Sequence, residues 1–382
     1  MKKHKTLLRL LLTVAIICAG YVAIDKNFVT AEDETPPLAF YDVNKGDTYY
    51  VAISKLREWD IIEGYEDGTF KPGISINRAE ALKMITLSTG VFTEEEMEDK
   101  IETEETEETE EVEESVAEES VAEESVVEES VAEESVVEES VVEESVVEDE
   151  MEEADEIEEV EETTPFPDTP LEEWYTKYLI AAKALGIIHG HPDGTFRPAD
   201  EINLVETLKI LFESIQTQKE LDFESTREYL YEDTPPEEWF TIYTSYAGAK
   251  GIINIYPTNT VAPAQKMSRG YLAEVMYRSI MSEKGYDFGK ATWYGGAFQG
   301  NTTASGETFD KNELTAAHKH LPFNTIVEVT NLANGESVEV RITDRGPYGP
   351  GRVIDLSSEA FSRIASLGAG VINVQYKVVH LP

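Results

Sequence analysis

Between Glu94 and Glu162 the chain carries 37 acidic residues against a single base, Lys100, so this stretch supplies −36 of a formal net charge of −46. Dense like charge repels itself, and so little apolar surface cannot offset the entropy of ordering the chain, so no core forms there. From Glu113 to Val147 the unit Glu-Glu-Ser-Val-Ala/Val recurs every five residues. Five residues advance a helix by roughly 500°, so the valines wander around the surface instead of lining one stripe. The expectation for 91–164 is an extended, disordered spacer, and some 70 residues at ~3.3 Å each reach about 230 Å. A regulatory polyanion or a cation-binding tract is the other reading. Folded structure must come from the sequence on either side, which carries only −10. That balance is ordinary for soluble domains. It offers no basic surface for phosphates, which excludes nucleic acid as a partner.

The N-terminus sets Lys2, Lys3, Lys5 and Arg9 before the apolar run Leu10 to Ile24, and Val29-Thr30-Ala31 fits a small-residue cleavage site. This is a secretory signal pattern over 1–31. The other reading, an uncleaved anchor, needs ~20 apolar residues to span a bilayer, and the run falls short. The only cysteine, Cys18, lies inside the run behind Ile17, a poor match to a lipid-attachment site. The mature chain is therefore expected to hold no disulfide, no thiol nucleophile and no transmembrane span.

Three segments repeat one another at a spacing that implies units sharing a core. The first holds Phe40-Tyr41-Asp42, Ile61-Ile62-Glu63-Gly64, Asp67-Gly68-Thr69-Phe70-Lys71-Pro72 and Ile76-Asn77-Arg78-Ala79-Glu80. The second returns as Phe166-Pro167-Asp168, Gly186-Ile187-Ile188-His189-Gly190, Asp193-Gly194-Thr195-Phe196-Arg197-Pro198 and Ile202-Asn203-Leu204-Val205-Glu206. The third has diverged to Tyr231-Glu232-Asp233, Gly251-Ile252-Ile253, Val261-Ala262-Pro263 and Met267-Ser268-Arg269-Gly270. In each unit a helix (Tyr50 to Trp59, Trp174 to Leu185) ends at a glycine stop, a tight turn follows, and a second helix begins, with Asn77 and Asn203 as N-cap candidates. These segments resemble the S-layer homology module, at 36–90, 165–217 and, diverged, 228–282. The resemblance implies mainly helical repeats, three of which assemble into one unit that grips secondary cell-wall polysaccharide. It places the binding arginine at Arg78 and Arg269. In the second copy that position is Leu204, and the third copy lacks the Asp-Gly turn, which leaves two competent grooves. Because the acidic tract separates the first copy from the others, that copy is expected to complete a second molecule's unit or to act alone.

From Gly289 onward the pattern alternates apolar and polar residues. Ile326 to Thr330 and Ser337 to Ile342 read as strands joined at Asn334-Gly335, Val371 to Val379 as a third, and Ser358 to Ala365 as a short helix. Many short strands with Gly, Pro and Asn turns indicate a small β-barrel. Along it run Ala291-Thr292-Trp293-Tyr294-Gly295, Ala304-Ser305-Gly306-Glu307, Ala316-Ala317-His318-Lys319, Asp344-Arg345-Gly346-Pro347 and Ile354-Asp355-Leu356-Ser357. Over 288–382 this succession resembles the rare lipoprotein A family. That implies an all-β, six-stranded double-psi barrel related to expansins, with a peptidoglycan-binding groove and, in some members, lytic transglycosylase activity. The family's active-site motifs fall on Glu307, His318 and Asp344, and Asp355 matches the aspartate of the expansin groove.

Breaking a glycosidic bond requires protonating a poor leaving oxygen, a task for a carboxylic acid with a raised pKa. In a lytic reaction no water attacks; the muramoyl C6 hydroxyl closes on C1 to give a 1,6-anhydro product. Asp344 is expected as that acid and base, Glu307 as its partner, and His318 as the group that orients a carboxylate. Trp293, Tyr294 and Tyr348 are expected to stack on sugar rings, with Arg345 also binding substrate. Each has a plainer structural reading: Asp344 caps the Arg-Gly-Pro turn, Asp355 caps the helix near Ser357, His318 is a satisfied barrel residue, and Trp293 is core. His189 and His191 lack partners at metal-ligand spacing, and the Asp-Gly turns lack further oxygen ligands, so neither metal nor cofactor is expected. The function this implies is a secreted enzyme of the cell wall, cleaving peptidoglycan glycan strands. A non-catalytic, expansin-like wall-loosening protein and a structural envelope tether remain the alternatives.

Overall fold

The computed structural model describes residues 40–91, 164–349 and 351–382. The signal segment and nearly all of the acidic tract lie outside these residues. No helix among the described residues is long and apolar enough to cross a membrane.

Three helix pairs come first: α1 (Tyr50–Glu58) with α2 (Arg78–Thr89), α3 (Thr176–Ala184) with α4 (Leu204–Gln216), and α5 (Thr241–Ala249) with α6 (Arg269–Glu283). The same device shapes the turn in each pair. Asp42 accepts from the N–H groups of Phe70 and Lys71, both at 2.7 Å. Asp168 does so from Phe196 and Arg197 at 2.8 and 2.7 Å, and Asp233 from Val261 and Ala262 at 3.0 and 2.7 Å. Lys71, Arg197 and Ala262 all have φ near +57° (56, 58 and 56). That conformation is costly for a residue with a Cβ, and the charge-assisted pair of hydrogen bonds from the aspartate holds it. Gly186 and Gly251 stop α3 and α5 at φ 71 and 67, but in the first copy the left-handed stop is Asp60, at φ 56, not a glycine. Asn77 and Asn203 cap α2 and α4, each in a complete capping box with the glutamate three residues on.

The three pairs close on one another. Ile76 donates its N–H to the Met267 carbonyl at 3.1 Å, Met267 to Ile202 at 3.0 Å, and Ile202 back to Ile76 at 3.2 Å. All three side chains are fully buried. This cyclic exchange satisfies equivalent backbone groups inside a single chain. The expectation that the first copy serves a second molecule or acts alone is therefore corrected. Around the ring each second helix reaches into the next copy's turn. Arg78 donates from Nε to the Phe196 carbonyl at 2.9 Å and lies 4.8 Å from the Phe196 ring. Arg269 donates to the carbonyls of Phe70 (3.1 Å) and Glu63 (2.8 Å) and lies 4.7 Å from the Phe70 ring. At the remaining junction Leu204 is fully buried, and its N–H bonds the Gln265 carbonyl at 2.9 Å. The two departures seen in the sequence, a leucine for arginine and a missing Asp-Gly turn, meet at this one junction. There an apolar contact replaces an arginine latch.

The C-terminal segment forms β1 (Asp287–Tyr294), β2 (Thr315–His318), β3 (Ile326–Asn331), β4 (Ser337–Asp344), β5 (Arg352–Ser357), helix α7 (Ser358–Ile364) and β6 (Val371–His380). The strands close in the order β1-β5-β2-β4-β3-β6, with β1–β5 and β2–β4 parallel. Closure leaves no exposed edge. Val327, Val340, Ile342, Ile354 and Leu356 fill the interior, and Phe361 of α7 packs against them. Barrel and helical ring form one compact unit. The Tyr277 hydroxyl donates to Gln375 at 2.8 Å, Gly46 N–H bonds the Ala333 carbonyl at 2.7 Å, and Gly251 admits the backbone of Phe288, which a Cβ would meet at 2.9 Å.

Candidate active site

Two aspartates flank one small residue. Ala317 of β2 pairs with Asp355 of β5 on one side and with Asp344 of β4 on the other, which puts their Cα atoms about 10 Å apart, two strand spacings. Ala316 and His318 pair with the core residues Leu356 and Ile354, so alternation turns Ala317 and Asp355 to the opposite face. Strict alternation along β4 from core-facing Val338, Val340 and Ile342 would send Asp344 into the barrel. A bulge prevents this: Ala316 pairs with Ile342 but Ala317 with Asp344, so Thr343 is the extra residue and Asp344 turns onto the face of Ala317 and Asp355.

The carboxylates have unlike surroundings. Asp344 Oδ1 accepts from the N–H groups of Ala304 (2.9 Å) and Arg345 (2.8 Å), so it does cap the turn that follows it. Asp355 takes a hydrogen bond from the Thr292 hydroxyl, and burial raises its pKa, with Arg352 opposing. It does not cap α7; Ser357 does, accepting from Ala360 N–H at 3.1 Å. Gly346, at φ 136, crosses close by: a Cβ there would lie 3.9 Å from Asp355 Oδ2 and 4.0 Å from Ala317 Cβ. Thr292 escaped the sequence reading, because only the parallel pairing of β1 with β5 brings it to Asp355.

Glu307 is elsewhere engaged. Both its oxygens accept from the fork of Arg341 at 2.8 Å, and that pairing lowers its pKa, so it stays an anion. Its loop is tied to β4 through Ser305 N–H on the Thr343 carbonyl at 3.1 Å and through Ala304 on Asp344. His318 faces the barrel interior. Its Nδ1 accepts from the N–H groups of His320 (3.2 Å) and Leu321 (3.0 Å), which places the proton on Nε2, 3.2 Å from the Tyr376 hydroxyl. Beyond Tyr376 the carboxylate reached is Asp287, not one of the groove aspartates. The expectation that His318 orients a catalytic carboxylate is replaced by the plainer reading, a satisfied barrel residue.

Of the expected sugar platforms, Tyr348 stands open at 81% exposure beside Gly346. The Tyr294 ring is covered by Phe309 (4.5 Å between centroids) and edged by exposed Phe298 (5.9 Å). Trp293 pairs with core-facing Leu356, on the face of β1 away from Thr292, yet it is 36% exposed and not core, and its indole N–H donates to the Leu367 carbonyl at 3.0 Å. The Arg345 guanidinium lies 3.7 Å from the Phe323 ring and donates to the His318 carbonyl at 3.3 Å, so it braces the turn.

The buried imidazole has a pH signature. Burial, aided by His320 and Arg345, lowers the His318 pKa from 6.5 to about 4. The unfolded chain then binds the extra proton between pH 6.5 and 4, so this contribution to stability is present above pH 6.5 and lost as pH falls toward 4. Calorimetric unfolding temperatures at pH 7 and pH 5 should therefore differ more in the wild type than in His318→Gln. Equal differences would remove this role.

Comparison with known proteins assigns classes to the two parts. Residues 287–376 match the family model described as lytic transglycolase, and residues 39–82 and 165–204 match the S-layer homology domain. The six-stranded barrel and the first two S-layer homology segments expected from the sequence thus each find a family match. The endolytic peptidoglycan transglycosylase RlpA of Vibrio cholerae is 48% identical over 104 residues, 27% of this chain and 40% of that protein. A probable endolytic peptidoglycan transglycosylase RlpA of Synechocystis is 57% identical over 91 residues, 24% of this chain and 28% of that one. The chain thus spans less than half the length of these curated relatives. The Clavibacter michiganensis expansin structure aligns at 27% identity over 25% of this chain and 52% of its own, with a TM-score of 0.22.

Proposed function

We propose that this chain is a secreted, wall-anchored lytic transglycosylase that cleaves peptidoglycan glycan strands to 1,6-anhydromuramoyl products. The observation that carries the reading is the pair Asp344 and Asp355, turned to one face around Ala317 in a barrel whose relatives bear that enzyme name. The sequence favoured Asp344 as the proton donor; the surroundings favour Asp355. Burial keeps its proton to higher pH, and the Thr292 hydroxyl orients it. Asp355 gives its proton to the leaving oxygen as the C1–O bond breaks. The muramoyl C6 oxygen bonds to C1, and its proton passes to the Asp355 carboxylate, which restores the acid. Asp344, fixed on Oδ1 by two backbone donors, stabilises the positive charge at C1. Glu307 acts through Arg341 and its loop, and Tyr348 stacks on a sugar ring.

The three S-layer segments (36–90, 165–217 and 228–282) work as one holder of secondary cell-wall polysaccharide at the cell surface. Arg78 and Arg269, buried between copies, fix the junctions that shape that holder. Incubating the full chain with glycan strands stripped of stem peptides should release anhydromuramoyl ends, seen by mass spectrometry. Wall binding with no new ends would instead support a wall-loosening protein without catalysis.

A further inference from the structure

Beside Asp355 the fold leaves two cations without an acid. From Asp287 onward the chain has four arginines. Arg341 is forked on Glu307, Arg345 lies against the Phe323 ring, and Arg363 pairs with Glu359. The guanidinium of the fourth, Arg352, makes no hydrogen bond or ion pair among the described residues. It is placed all the same. Its stem lies against Gly349, where a Cβ would stand 3.1 Å from both Cδ and Nε, closer than a side chain ordinarily allows. Gly349 follows Tyr348, and both Tyr348 and the Asp355 carboxylate lie 3.9 Å from where a Cβ of Gly346 would be. Burial raises the Asp355 pKa, and the charge of Arg352 reaches far enough to oppose that rise. Lys290 stands opposite Arg352 in the β1–β5 ladder, two residues before Thr292. Strand β1 pairs regularly with β6 through this stretch, so alternation sets Lys290 on the face of Thr292, whose hydroxyl bonds Asp355. Its ammonium also lacks an acidic partner among the described residues. A chain with 77 acidic and 31 basic residues has thus set two like charges on cross-strand partners. Such a pair repels, and an anion from outside relieves it.

We propose that Arg352 and Lys290 bind the lactyl carboxylate of a muramoyl sugar, and so fix which of the strand's two alternating sugars presents its C1 to Asp355. The inference rests on the reading of this face as a transglycosylase site and adds the group that sets the register. A muramoyl sugar carries a carboxylate on the lactyl ether at C3, while its glucosaminyl neighbour carries only a hydroxyl there. Three residues of strand separate Arg352 from Asp355, about 10 Å, a gap that the arginine stem and the lactyl arm close between them. Tyr348 under the ring, Asp355 at the leaving oxygen and the Arg352 fork at the carboxylate then hold one sugar on three sides. Such a fork matches a carboxylate with two parallel hydrogen bonds. The carboxylate keeps its charge throughout the reaction, so the contact binds ground state and transition state alike. It therefore acts on KM more than on kcat.

The test gives the full chain two substrates: glycan strands stripped of stem peptides, with free lactyl carboxylates, and the same strands with those carboxylates coupled to methylamine. The wild type should lose roughly tenfold in kcat/KM on the amidated strands, mostly through KM, the effect of removing one charge-assisted pair. Arg352→Gln should show that loss already on the free acid and lose little more on amidation. Lys290→Gln should shrink the preference in the same direction, and Arg352→Lys, which keeps the charge without the fork, should retain part of it. If Arg352 acts only through the acidity of Asp355, its substitution costs the same factor on both substrates, in kcat. That result overturns the proposal, as does a wild type that cuts both substrates alike. If the wild type releases no product from either, the proposed function fails, and calorimetric binding of the two kinds of strand decides the site. Tighter binding of the free acid by wild type, lost in Arg352→Gln, sustains it; equal binding of the two strands overturns it.

Discussion

Asp355→Asn is expected to slow the release of anhydromuramoyl ends by roughly 10²–10⁴-fold, the range for removing a positioned general acid. The amide keeps an oxygen to accept the Thr292 hydroxyl, so the groove retains its shape. Stability should move the other way. Burial raises the folded pKa of Asp355 above its unfolded value, so its stabilising contribution is complete only below the unfolded carboxylate pKa and is lost as pH rises through the folded one. At pH 7 the ionised, half-buried group is a liability that the asparagine lacks. The variant should unfold at an equal or higher temperature than wild type at pH 7, and the difference should vanish in acid. Glu307→Gln makes the contrast. It breaks an exposed fork to Arg341, so activity falls less and only through the 303–307 loop. A strong loss in Glu307→Gln with a nearly unaffected Asp355→Asn would overturn Asp355 as the acid.

Much of the architecture was legible in the sequence because it is written in local chemistry. The Asn77 and Asn203 caps, the Asp-Gly turns, and the strands beginning at Ile326, Ser337 and Val371 are each fixed by a few neighbouring residues. What escaped depends on pairing across the fold. Asp344 reaches the groove only because Thr343 bulges, and a bulge leaves no mark on a strand's polar-apolar pattern. His318 was expected at the site because the family's motif falls on it, but β2 turns it inward with Ile354, and a histidine satisfied by Tyr376 reads the same in sequence. Trp293 and Tyr294 sit side by side in the chain and on opposite faces of β1. The place of the first copy was likewise misjudged: the resemblance implied three copies in one unit, but the acidic tract argued for separating the first, while the backbone hydrogen bonds of Ile76 with Met267 and Ile202 hold it to its sisters.

That closure makes the second large prediction. If the first copy is held by contacts and not by its tether, cutting the chain between Glu94 and Glu162 with an inserted protease site should leave residues 40–91 bound to 165–382 through size-exclusion chromatography. Arg269→Ala should release it. The substitution strips two hydrogen bonds from a buried guanidinium and leaves the carbonyls of Phe70 and Glu63 without a donor. Hydrogen bonds to charged groups contribute about 1.5–3 kcal/mol each, so the fragment's affinity should fall by roughly 10²–10⁴-fold. The uncut variant should fare better, because the tether keeps the fragment at a high effective concentration. The barrel supplies a second hold on the first copy, through Gly46 on Ala333 and the Lys45–Glu336 ion pair. That ion pair is exposed and contributes little, so Glu336→Gln should leave the cut wild type intact. Dissociation of the cut wild type on its own would instead mean that the tether, and not the ring, keeps the first copy in place.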